Sequence, residues 1–145
     1  MELFKSMGIS ASGLQAQRIM VNTISTNLAN VHTTRTPEGG PYRRKQAIFS
    51  SSPHSRNFPD LLSFRMGQQP MGVKAEVVED TQRKGEMIYD PSHPDADESG
   101  VVSLPNVNVV EEMVALLGAM RSYEANVTAF NTSKQMAMKS LDIGK

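Results

Sequence analysis

The chain has 145 residues, with 15 Lys and Arg against 15 Asp and Glu, so its formal net charge at pH 7 is zero. A neutral, evenly mixed charge gives no electrostatic footprint for nucleic acid or an acidic membrane surface. Cysteine is absent, which excludes disulfides, thiolate nucleophiles and thiolate metal sites. No basic leader precedes an apolar run, and no stretch approaches about 18 apolar residues. We therefore expect neither a cleaved signal peptide nor a membrane span.

The N-terminal arm is predicted to be a helix. All eight prolines lie between Pro37 and Pro105, so both ends of the chain are free of helix breakers. Apolar residues recur at heptad spacing from Leu3 to Val31, although frequent Ser, Thr, Asn and β-branched residues lower the helix propensity. Alone, this arm should be disordered. Its candidate assembly residues are Leu14, Val21, Ile24, Asn27, Leu28, Asn30 and Val31.

The C-terminal arm is predicted to be a helix from Val109 to about Leu141. Asn108, with Glu111 three residues on, is typical of a capped helix start. The apolar stripe keeps the alternating heptad steps of three and four residues as far as Met120. The next step, to Tyr123, shifts the heptad phase as a deletion of four residues would. Candidate assembly residues are Val110, Met113, Leu117, Met120, Tyr123, Asn126, Val127, Phe130 and Leu141. The amides in both arms either fix register inside a packed seam or face solvent.

The middle of the chain has a different pattern. Residues 36–41 predict a turn, and short strands are predicted within 42–49, 73–77 and 86–89. Between Ser50 and Gly72 the pattern weakens, so we expect loops there. The bases Arg43-Arg44-Lys45 favour a solvated strand face over a phosphate clamp.

An acidic segment at 90–100 is the most suggestive of chemistry. Four residues match EF-hand loop positions one, three, five and six: Asp95, Asp97, Ser99 and Gly100. Position twelve is Asn106, where a bidentate Glu is required. His93 has no second histidine at ligand spacing. A polar, turn-rich loop is favoured, with a calcium-binding or catalytic module as the alternative of a different class.

Several motifs resemble one known family. Ser12-Gly13-Leu14-Gln15-Ala16 and Asn27-Leu28-Ala29-Asn30 resemble the N-terminal hallmark of the bacterial flagellar rod and hook axial proteins. Segments 34–44, 105–113 and 121–126 are similar to the proximal-rod members of that family, as is a loop motif that contains Tyr89, Asp90, Pro91, His93, Asp95 and Asp97.

The resemblance implies a structural subunit of the flagellar drive shaft, which transmits torque from the motor to the hook. Such a subunit would be exported by the flagellar type III apparatus without a cleaved signal peptide and would assemble in the periplasm. The implied partners are further copies, other rod proteins, and membrane-ring and export-gate proteins at the rod base. No enzymatic activity, metal, cofactor, small-molecule substrate or nucleic acid is expected. A sister rod or hook subunit is the nearer alternative.

The expected fold is mainly α. Two long terminal helices form an antiparallel coiled coil, and a small β-rich or irregular insert lies between them. Residues 1–35 with 106–145 are predicted to form the helical assembly domain, and residues 36–105 the insert.

Overall fold

The computed structural model describes residues 2–52, 62 and 72–143. The elements, in chain order, are α1 (Glu2–Ala29), β1 (Lys45–Ser52), β2 (Gly72–Glu79), β3 (Met87–Tyr89), β4 (Val101–Ser103) and α2 (Val109–Ile143). Long helices at both ends with short strands between them confirm the predicted architecture in outline. No helix in these ranges is long and apolar enough to cross a membrane.

The two helices pack side by side and antiparallel. Near the end of α1, Asn27 contacts Glu112 in the first turn of α2. Near the start of α1, Gly13 lies against Asn126. A Cβ at Gly13 would come within 3.3 Å of the Asn126 amide nitrogen, so the missing side chain lets the helices approach closely.

Residues with low helix propensity are accommodated in α1 by hydrogen bonds along the helix. The Thr23 hydroxyl donates to the Ile19 carbonyl at 2.8 Å, and the Thr26 hydroxyl donates to the Asn22 carbonyl at 2.8 Å. These side chains bond to the turn before them instead of competing for non-helical backbone conformations.

The start of α2 has the predicted cap. The Asn108 side-chain oxygen accepts from the backbone N–H groups of Val110 at 2.9 Å and Glu111 at 3.2 Å. Glu111 does not close the capping box, because its carboxylate pairs with Arg83 at 3.1 Å. The acidic first turn suits the positive end of the helix dipole.

Strands β1 and β2 form an antiparallel ribbon that lies along α1. Lys45 is opposite Glu79, and Ser52 is opposite Gly72. At one end of the ribbon the Val73 N–H donates to the Ser12 hydroxyl at 3.0 Å. At the other end, the Lys45 backbone bonds to α1, as detailed below.

The second sheet pairs β3 with β4, and Val102 in β4 is only 3% exposed. Beside it, Gly85 passes so close to Leu104 that a Cβ would overlap the Leu104 carbonyl. The predicted turn at 36–41 is present, with positive φ angles at Gly39 and Gly40.

Two sequence expectations about the insert were wrong. Strand β4 was not predicted, although it pairs with β3. The loops expected from Ser50 to Gly72 do not extend over the whole range, since β1 continues to Ser52 and β2 begins at Gly72. Residues 53–61 and 63–71 of that range lie outside the described residues.

We predict that Gln17→Leu stabilises the helix pair. Among the described side chains, the Gln17 Oε1 atom is buried without a hydrogen-bond partner, and such an atom costs about 1–3 kcal/mol. Urea unfolding followed by circular dichroism should show a higher midpoint. The control is Gln15→Leu, because Gln15 is exposed on the same helix and should leave the midpoint nearly unchanged. A midpoint that falls in Gln17→Leu would contradict the prediction.

Candidate assembly site

A buried polar cluster joins the end of α1, the start of β1 and the start of α2, and it is called the polar hub below. Its members are the side chains of Asn27, Tyr42, Arg44, Asn106 and Glu112 with the backbone of Lys45. Asn27 and Glu112 are fully buried, and Tyr42 is 8% exposed. The hub therefore needs nearly complete hydrogen bonding to be tolerated.

Asn27 lies at the centre of the hub and uses its whole amide. Its Nδ2 donates to the Lys45 carbonyl at 2.8 Å and to Glu112 Oε2 at 3.0 Å. Its Oδ1 accepts from the Lys45 N–H at 2.9 Å and from the Tyr42 hydroxyl at 2.9 Å. Two donors and two acceptor positions are thus all paired. The amide holds the first residue of β1 as a neighbouring strand would.

Glu112 carries a buried charge that Arg44 compensates. Glu112 Oε1 accepts from Arg44 Nε at 2.6 Å, a charge-assisted bond, and the Arg44 side chain is itself 17% exposed. The second carboxylate oxygen accepts from Asn27. Both oxygens of the buried carboxylate therefore have donors.

Asn106 ties the hub to the segment between β2 and β3. Its Oδ1 accepts from the Arg44 backbone N–H at 2.7 Å. Its Nδ2 donates to the carbonyls of Asp80 at 3.1 Å and Arg83 at 3.0 Å. The chain is consequently held in place just before α2 begins.

Burial raises the pKa of the Tyr42 hydroxyl above its ordinary value of 10.0, and the nearby carboxylates of Glu79 and Glu112 raise it further. A phenolate here would lose solvation and face negative charge. Tyr42 therefore stays a neutral donor to Asn27 well above neutral pH.

The sequence did not reveal the environment of Arg44. A solvated strand face was favoured for the basic run, but only Arg43 of the three is exposed, and Arg44 pairs with Glu112. The partners are 68 residues apart in sequence, so no local pattern could indicate the pair. Asn27 was predicted as an assembly residue of the N-terminal arm, but the sequence did not indicate which groups it bonds to.

The candidate residues of the N-terminal arm lie mostly toward the interior. Ile24 and Asn27 are buried, and the remaining five, Leu14, Val21, Leu28, Asn30 and Val31, are partly buried. Sequence reasoning missed Ala16 and Thr23, which are also buried. They were missed because a small residue such as Ala16 or a polar one such as Thr23 contributes little to a pattern that is recognised by its large apolar residues.

The apolar stripe of the C-terminal arm divides between two faces of α2. Before the heptad break, Val110, Met113, Leu117 and Met120 are exposed, while Glu112 and Ala119 are buried on the side of α1. After the break, the partly buried members are Asn126, Val127 and Phe130, while Tyr123 is 39% and Leu141 74% exposed. The stripe is therefore not one continuous seam against α1, because dropping four residues rotates it around the helix.

The acidic loop is organised by separate turns. The Ser92 hydroxyl and backbone N–H donate to Asp90 and lower the pKa of its carboxyl group. Asp97 accepts from the backbone N–H groups of Ser99 and Val101, both at 2.9 Å.

Asp95 connects the loop to the segment after α1, because its carboxylate accepts from the Thr34 hydroxyl at 2.7 Å. Within the loop, the Asp95 N–H donates to His93 Nδ1 at 3.1 Å. In the described part of the chain, no three His, Asp or Glu side chains are placed to hold a metal ion together. Of the remaining loop motif, Tyr89 and Pro91 are exposed.

Comparison with known proteins gives matches over the whole chain. A chain from Borreliella burgdorferi named flagellar basal-body rod protein FlgC is 45% identical, over 99% of this chain and 98% of its own length. Chains of the same name from Bacillus subtilis and Salmonella typhimurium are 43% and 38% identical over full length. The chain belongs to the FlgC family of flagellar basal-body rod proteins.

Two family models match the ends of the chain. The model described as "Flagella basal body rod protein" matches residues 7–35, and "Flagellar basal body rod FlgEFG protein C-terminal" matches residues 98–143. Asn27 lies in the first match, and Asn106 and Glu112 lie in the second. The polar hub therefore joins the two matched regions of this chain, and the segment between them supplies Tyr42 and Arg44.

We predict that Asn27→Ala destabilises the chain by at least about 3 kcal/mol, because several buried groups lose their partner and each costs about 1–3 kcal/mol. The groups are both backbone atoms of Lys45, the Tyr42 hydroxyl and Glu112 Oε2. Urea unfolding measures the loss. Asn22→Ala removes an amide from the exposed face of the same helix and should cost much less. Equal losses in the two variants would argue against the hub.

The raised pKa of Tyr42 predicts a pH effect with a defined sign. Below the unfolded-state pKa of about 10 the tyrosine is neutral in both states and its stabilisation is complete. Above that pH the unfolded chain releases the proton first, so stability falls until the folded-state pKa is passed. The free energy of unfolding measured from pH 8 to 11 should thus fall less in Tyr42→Phe than in the unmodified chain. Parallel profiles would contradict this assignment.

Proposed function

We propose that the chain is a structural subunit of the proximal rod of the bacterial flagellar basal body. It polymerises into the helical drive shaft that transmits torque from the motor to the hook. Relatives covering the whole chain are named as rod proteins, which supports a structural and not an enzymatic role.

The observation that carries the proposal is the large exposed surface of the chain. It exposes 10576 Å², whereas a compact monomer of 15.9 kDa exposes about 7,400 Å². Within the described ranges few apolar side chains are buried, and they are Ala16, Ile24, Tyr42, Val102, Pro105 and Ala119. Such a chain has little core of its own and gains stability by burying its faces against neighbours.

The terminal helices act in this proposal as an antiparallel coiled coil. The heptad pattern of α1 and the antiparallel contacts at both ends of the pair support it. Residues 1–35 with 106–145 form the assembly unit, and residues 36–105 form an insert that braces it.

The predicted interface residues take two roles in the assembly. The partly buried members on α1 and on the second half of α2 hold the two helices of one copy together. The exposed members at the start of α2, such as Val110 and Leu117 at 69% and 59% exposure, contact neighbouring subunits.

The proposed partners are further copies and other rod proteins, with membrane-ring and export-gate proteins at the rod base. The chain reaches the periplasm through the flagellar type III apparatus. The low helix propensity of the first arm supports this route, because a weakly structured arm can pass a narrow channel.

The test is complementation of a strain that lacks the gene, with basal bodies imaged by electron cryo-tomography. The intact chain should restore the rod, and Leu117→Glu should not, because assembly would bury an unpaired charge. Leu117 is 59% exposed in the single chain, so the purified variant should unfold at the same urea concentration as the unmodified chain.

Thr128→Glu is the matched control, since Thr128 is an exposed polar residue on the same helix, and it should leave rods intact. Membrane rings that carry normal rods in the deletion strain would overturn the proposed function. Normal rods with Leu117→Glu would overturn the interface assigned to Leu117.

A further inference from the structure

Two apolar features of the helix pair stay uncovered in a single chain. The first, called the ridge, consists of Val110, Val114 and Leu117 on the side of α2 away from α1, with exposures of 69%, 65% and 59%.

The second feature, called the groove, lies between the helices. It is a depression of about 240 Å³ with an apolar floor formed by Val21, Met120 and Tyr123, and with Arg18 and Glu124 at its edges.

We propose that the ridge of one copy occupies the groove of a second copy of this chain. The proposal rests on the proposed rod function and names the contact by which copies join. Leu117 is the central side chain that enters the groove.

Charge complementarity favours a second copy as the occupant. Arg121 follows Leu117 by one helical turn and therefore continues the line of the ridge. Arg121 and Glu124 are exposed, and neither has an ion-pair partner among the described residues. With Leu117 in the groove, Arg121 reaches the edge that carries Glu124 of the other copy. Copies with zero net charge have no overall repulsion to overcome.

The size of the groove suits an aliphatic side chain. A cavity of about 150 Å³ lined by aliphatic and aromatic residues is enough to hold a benzene ring. A groove of about 240 Å³ therefore has room for Leu117 with part of Val114.

The contact is heterologous, because ridge and groove consist of different residues. One copy can insert its ridge into a second copy while its own groove receives the ridge of a third. A head-to-tail contact of this kind continues as an open helix unless its rotation closes a ring. A helical rod requires such a contact, which a two-fold symmetric dimer does not provide.

The absence of cysteine allows a direct test. Val21→Cys and Leu117→Cys are made in separate chains with different epitope tags and expressed together in the deletion strain. Basal bodies are then treated with a short bismaleimide. We expect a cross-linked species that carries both tags, and none when either variant is expressed alone. A third chain with Thr26→Cys, at an exposed position about 140° around α1 from Val21, replaces Val21→Cys as the control and should not cross-link.

Charge exchange gives a second measurement. Arg121→Glu and Glu124→Arg should each reduce the mixed cross-link several-fold, since like charges then meet at the edge of the groove. The two together in one chain should restore it. If the double variant does not restore the mixed cross-link, Arg121 and Glu124 do not pair across the contact.

Each outcome separates the contact from the function. If the unmodified chain is expressed in the deletion strain and the purified basal bodies do not contain it, the rod role is refuted. Basal bodies that contain both variants but no mixed cross-link would overturn the ridge and groove contact alone. Cross-linking of Leu117→Cys with itself, or with a protein of different mass, would also overturn it, in favour of a symmetric contact or another rod subunit.

Discussion

The buried carboxylate of Glu112 is the constraint on which the arrangement of the helices depends. Burying a charge away from solvent costs free energy unless the charge is paired and hydrogen-bonded. Its two oxygens receive donors from α1, through Asn27, and from the residue before β1, through Arg44. A shift of one helix along the other by a single residue would separate Glu112 from Asn27. The pair therefore fixes the register of the two helices, a role that apolar packing alone performs less selectively.

The same constraint decides which face of α2 meets solvent. With Glu112 directed toward α1, the 100° advance per residue places Val114 about 200° and Leu117 about 140° around the helix. Both side chains must then lie on the far side, and both are exposed. An apolar outer face at the start of α2 is thus a geometric consequence of the polar hub. The polar interaction inside one copy and the apolar surface available to other copies have the same origin.

The sequence predicted the parts of this structure that depend on local pattern. The confinement of proline to the middle, the heptad spacing and the Asn108 cap were sufficient for both helices, and α2 begins at Val109 as expected. The pairing of Arg44 with Glu112 was out of reach, because each residue alone has an ordinary explanation on a strand or in a helix start. The sequence also did not show which face of α2 carries Leu117. A stripe with a four-residue break can be assigned to an interior or an exterior face only when an anchor such as Glu112 is known.

The polar hub also bears on how the insert relates to the helices. The proposed assembly unit contains Asn27 and Glu112, but Tyr42 and Arg44 belong to the insert. Without Arg44 the Glu112 carboxylate would lose its compensating charge, and without Tyr42 the Asn27 amide would lose a donor. The ribbon also contacts α1 through Ser12 and Val73, far from the hub. Helices and insert therefore form one cooperative structure, and the boundary between them separates roles in assembly more than it separates units of folding.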